Sequence, residues 1–150
     1  MRSCLSTVST LCVCVRAWST CTTLLSSPLD KRIQFFAANI LLSKVRREWS
    51  SLGSSNQSSM LAALMKPLQQ SLAAHGSGGA PLDSVVVNQL CLVIGSASSL
   101  SGADAITGLL NHAFAVAAAG TPAAVSMALS LLSVRRLLHH VAVFLFRRLT

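Results

Sequence analysis

Residues Gln34–Trp49 read QFFAANILLSKVRREW. At 3.6 residues per turn, Ile33, Phe36, Ala37, Ile40, Leu41, Val45 and Trp49 gather on one stripe. Gln34, Lys44, Arg46, Arg47 and Glu48 fall off it, which is the pattern of an amphipathic helix. Ser27-Pro28-Leu29-Asp30 supplies turn chemistry just before it, and Asp30 is placed to cap the first free N–H groups. Ser50-Ser51-Leu52-Gly53-Ser54-Ser55 closes it with a loop-favouring run.

Working outward, more helices follow by the same reasoning. Ala17–Ser26 is a short helix with Trp18, Cys21, Leu24 and Leu25 on one side. Gln57–Ala74 places Met60, Leu61, Leu64, Met65, Leu68 and Leu72 on one face, and the internal Pro67 predicts a kink or break near Lys66. His75-Gly76-Ser77-Gly78-Gly79-Ala80-Pro81 reads as a flexible connector, since no buried strand precedes it to make a phosphate cradle. A helix restarts at Pro81-Leu82-Asp83, burying Val85, Val86, Leu90, Val93, Ile94 and Ala97, and turns at Ser99–Gly102. Ala103–Ala118 follows with Ile106, Leu109, Leu110, Ala113, Phe114 and Ala117 inward. Gly120-Thr121-Pro122 then ends one helix and caps the next. By subtraction, the helix starts at Asp30, Asp83 and Thr121 lie 53 and 38 residues apart. That spacing brackets the roughly 40–47 residues of a HEAT unit, a pair of antiparallel helices.

The QFFAAN helix also resembles the second helical repeat of the importin-β karyopherins, most closely the transportin-SR and importin-thirteen branch. The family pattern there is QFFAAN-x-L-x-x-K-(I/V)-R-x-x-W, and Gln34, Phe35, Phe36, Ala37, Ala38, Asn39, Leu41, Lys44, Val45, Arg46 and Trp49 match it. Residues 17–25 look like the preceding helix, while Val86, Asn88–Leu92 and Ala128–Leu132 are weaker echoes of later ones. The resemblance implies an all-α fold, an α-solenoid of HEAT-like antiparallel helix pairs over 17–134. It leaves a divergent or disordered segment at 1–16 and a basic, apolar helical tail at 135–150, where the likeness to the family ends. It further implies the N-terminal part of a nuclear transport receptor that shuttles between cytoplasm and nucleus. Such a receptor binds the GTP form of the Ran GTPase and protein cargo, with nucleoporins as further partners. Inner helices then fall at Gln57–Ala74 and Ala103–Ala118, whose polar groups Gln69, Gln70, Asn111 and His112 are the candidate partner contacts.

Composition weighs the other function classes. The 150 residues are 52% hydrophobic and 11% charged, with a mean hydropathy of +0.61, so much apolar surface needs covering. Stacked repeats answer that need, because each covers its neighbour. Twelve Lys and Arg against four acids give a net charge of +8, and eight of the twelve come as the pairs Lys31-Arg32, Arg46-Arg47, Arg135-Arg136 and Arg147-Arg148. Pairs at helix C-termini oppose the macrodipole, and with no Tyr and 5% aromatics there is no stacking platform for nucleic acid. Cys4, Cys12, Cys14 and Cys21 have no zinc spacing and no nearby His, and adjacent His139 and His140 diverge on a helix, so no metal or cofactor is expected. The four acids, Asp30, Glu48, Asp83 and Asp104, form no acid–base pair, which argues against an enzyme. The alternative is a small helical membrane-associated protein, resting on the uncharged run Ala105–Val134. Gly120-Thr121-Pro122 splits that run into pieces shorter than the ~20 residues a span needs.

Overall fold

The computed structural model describes residues 16–133, which form six α-helices and one 3₁₀ turn with no strand among the described residues. The first helix, α1, covers 16–26. Its run of Ser and Thr stays helical because hydroxyls donate back into carbonyls one turn earlier: Thr20 to Arg16, Thr23 to Ser19, Ser26 to Thr22 and Ser27 to Thr23. Trp18, Cys21 and Leu25 form its buried side.

Helix α2 is Lys31–Glu48, capped as expected by Asp30, whose Oδ1 accepts from the Arg32 N–H at 2.7 Å. Its buried face differs from the expected stripe by about a sixth of a turn. Gln34, Ala37, Ala38, Leu41, Leu42 and Val45 point inward, while Ile33 and Phe36 are 45% and 66% exposed. Gln34, assigned by pattern to the polar side, is only 6% exposed, and its Nε2 donates to the Ser27 carbonyl at 2.9 Å across the α1–α2 turn. Hydropathy cannot register a buried amide that closes a turn. The 3₁₀ turn Trp49–Ser51 follows and buries Trp49, whose ring lies 6.0 Å from that of Trp18.

Helix α3, Ser54–Ser77, passes through Pro67 without a break, so the break expected near Lys66 does not occur. The Pro67 ring is fully buried between Leu64 and Leu68 in sequence and shares a cavity wall with Leu25 and Leu82. Apolar burial thereby offsets the lost ladder bond, a cost of about 3 kcal/mol in an exposed helix. The connector begins later than expected, at Gly78, whose φ of 73° lets its N–H reach the Ala74 carbonyl.

Helix α4, Ser84–Ser101, begins at Asp83, whose Oδ1 accepts from the Val85 N–H. It is the hub of the fold, packing on α2 above all and also on α3 and the next helix. From Val93 to Ser98 every residue is buried, because α2, α3 and α5 all pack against this helix. Val85, expected inward, is exposed at the open start of the helix. The turn expected over Ser99–Gly102 contracts to Gly102 alone. Ser99 and Ser101 remain helical, their hydroxyls bonded to the carbonyls of Gly95 and Ala97. Gly102, with φ 104° and ψ −174°, joins α4 directly to α5, Ala103–Ala118. On α5 only Ala113 is fully buried, and Phe114, expected inward, is 63% exposed. Gly120, at φ 71°, and Thr121, whose Oγ1 accepts from the Ala124 N–H, start α6, Pro122–Ser133.

Cross-helix bonds give the relative directions. Lys31 pairs with Asp83 at the starts of α2 and α4, the Gln89 amide donates to Asn39 midway, and the Trp49 indole donates to Ser101 at the ends. The last two separations are 50 and 52 residues, so α2 and α4 run parallel in nearly constant register. Helix α6 runs the same way: Ala123 near its start shares a cavity wall with Leu82 and Ser84, Ser130 donates to Asn88, and Leu131 and Leu132 near its end line a cavity with Gly95 and Ser99. Helices α1, α3 and α5 form a second layer, with Leu25 and Ser26 next to Pro67 and Gln70, and α3 facing α5 across α4.

Candidate interaction groove

The second layer leaves a gap. Helices α3 and α5 stand apart over α4, and between them runs an open groove of about 590 Å³. Leu61, Met65 and Leu109 form its apolar walls and Ile94 and Ser98 its floor. Ala62, Ala105 and Gly108 keep the walls low, and a Cβ built on Gly108 meets nothing within 4 Å. Along α3 the lining runs from Ser58 to Gln69, about 16 Å at 1.5 Å per residue. Lys66 is exposed on this edge, and among the described residues no acid lines the groove.

Of the candidate contacts, Gln69 and the half-buried His112 reach this groove together from opposite helices. Gln70, one residue on, turns to a separate cavity of about 300 Å³ beside Leu25 and Pro67. Asn111 is exposed and lines neither. The set therefore splits among three places on the surface, since neighbouring helix positions point about 100° apart. The groove's walls Leu61 and Met65 were legible only as core positions; they are half-buried because no described helix covers them.

The resemblance residues are mostly structural. Gln34, Ala37, Ala38, Leu41, Val45 and Trp49 are buried, and Asn39 ties α2 to α4. Lys44 pairs with Glu48 at 2.9 Å, whereas Phe35, Phe36 and Arg46 face outward. Arg46 and Arg47 close the last turn of α2, while the pairs at 135–136 and 147–148, the histidines at 139–140 and Cys4, Cys12 and Cys14 lie outside the described residues. Both described thiols are buried: desolvation raises Cys21, partly countered by Lys44, and pushes Cys91 up to about 12. A buried thiol held protonated is a poor nucleophile at neutral pH. Among the described residues no three His, Cys, Asp or Glu side chains converge to hold a metal ion.

The described residues form an all-helical, two-layered protein with an open groove between α3 and α5. Compared with known proteins, the chain matches no family model, no curated protein and no solved structure.

Proposed function

We propose that this chain forms HEAT-like helical repeats of an importin-β-type nuclear transport receptor, engaging the GTP form of Ran and protein cargo. The observation that carries this reading is the parallel register of α2, α4 and α6, with α3 and α5 returning in a second layer. Successive pairs related by near-translation are how a solenoid grows, each burying its apolar face on the next. The QFFAAN helix opens that register, its Asn39 and Trp49 both bonded to α4. In such an array, Ran and cargo are coupled through small changes of curvature, so binding of one partner shifts the affinity for the other.

Immobilised full chain, checked for helicity by far-ultraviolet circular dichroism, is incubated with Ran loaded with a non-hydrolysable GTP analogue or with GDP. Retention of the GTP form alone is the expected result. Equal retention of both forms, or of neither by folded protein, rejects the assignment. A membrane-associated reading has one observation behind it: α4 is 18 residues long with a mean hydropathy of 1.4. Half of that helix is covered by its neighbours, and its contacts through Gln89 and Ser101 are polar, which favours a core helix. Resistance to carbonate extraction from membranes would reverse that preference.

A further inference from the structure

We propose that the α3–α5 groove is a docking site for an acidic amphipathic helix of a partner protein. The inference goes beyond the transport reading, because it needs only the observed helices and neither Ran nor a longer array. Three features select that occupant. The groove extends about 16 Å along α3, the length of three helical turns, and its apolar walls Leu61, Met65 and Leu109 suit side chains spaced three and four apart. Ala62, Ala105 and Gly108 allow a helix backbone to come close, while Met65 adapts to the side chains it meets. The charge on the edge is positive. Lys66 has no ion pair among the described residues, whereas Lys31 and Lys44 are paired to Asp83 and Glu48. Asp30 and Asp83 cap helices, and Asp104 lies in the first turn of α5, outside the groove lining. A carboxylate on the incoming helix therefore finds a free cation at Lys66, and Gln69 and His112 offer hydrogen bonds from the two walls.

The test uses the full chain and a fluorescein-labelled synthetic helix of about 14 residues, leucines on one face and glutamates beside them. Fluorescence anisotropy is read alongside circular dichroism. Saturable binding is expected, weakened ~10-fold by Lys66→Glu and by raised salt. Gly108→Leu fills the groove from an open position and should abolish binding while leaving helicity unchanged or higher. Equal affinity for a peptide with lysines in place of the glutamates overturns the proposal, as does unaltered binding by Gly108→Leu. Self-association that Gly108→Leu abolishes, with no peptide binding, would assign the groove to a second copy instead and equally overturn it. Vesicle binding lost in Gly108→Leu, again without peptide binding, would do the same in favour of lipid. Since Ran retention is a separate measurement, the failure of one reading is distinguishable from the failure of the other.

Discussion

Replacing Ser101 with Ala should cost far more than an ordinary half-buried serine, because its hydroxyl is the acceptor for the Trp49 indole N–H at 2.8 Å. Trp49 is fully buried, so the substitution leaves a donor without water or partner, a loss of about 1–3 kcal/mol. Trp49→Phe removes the donor itself and part of the ring, costing about 2 kcal/mol from one hydrogen bond and the vacated volume. In the double variant no donor remains to be orphaned, so Ser101→Ala adds only about 0.5 kcal/mol there, the residue of its own bond to Ala97. The two sites are thus non-additive by about 1–2 kcal/mol. Trp18→Phe is the internal control: its indole N–H has no partner among the described residues, so only ring volume is lost. Urea unfolding of the four proteins of the cycle and the control, followed by circular dichroism so that indole loss does not alter the signal, measures these terms. Additive single effects, or a Ser101→Ala variant as stable as the parent, would refute the claim that this bond locks the ends of α2 and α4 in register.

Other outcomes follow from single residues. Gly102→Ala should destabilise by about 1–3 kcal/mol through backbone strain alone, since its Cβ meets nothing within 4 Å but φ is 104°. Gly53→Ala, at φ −62° with equal space, should be near neutral; thermal melts of both check the contrast. Gln34→Ala should cost about 1–2 kcal/mol while Phe36→Ser changes stability by less than about 0.5, the reverse of hydrophobic ranking, read by urea midpoints. The buried Cys91 thiol ionises near 12 in the folded chain but near 9.0 when exposed, so the native state holds its proton longer. Its contribution is complete below pH 9.0 and drains away above it by up to about 1.4 kcal/mol per pH unit. Cys91→Ala should flatten the alkaline limb of stability measured from pH 8 to 11; identical limbs would count against the burial.

Helices and caps were legible in the chain because their causes are local. Asp30, Asp83 and Thr121 bond to backbone groups two or three residues away, and Gly120 meets its φ within its own turn, so sequence alone marked these boundaries. An all-α fold with a helix at Ala103–Ala118 follows from the same short-range periodicity. What sequence could not decide was which side of each helix would be covered, since coverage depends on neighbours dozens of residues away. Phe36 and Phe114 are as hydrophobic as any core residue, yet no described helix lies over them, while Gln34 is buried by the turn it closes. The same limit applied to Pro67, whose helix-breaking tendency is offset only once the packed core takes in its ring. It applied again to the groove, where Gln69 and His112 face one space only because α4 holds α3 and α5 apart over its buried segment from Val93 to Ser98. Local bonding is written in adjacent residues. The parallel register of α2 and α4, and the open space it leaves between the helices above, exists only when the whole core is assembled.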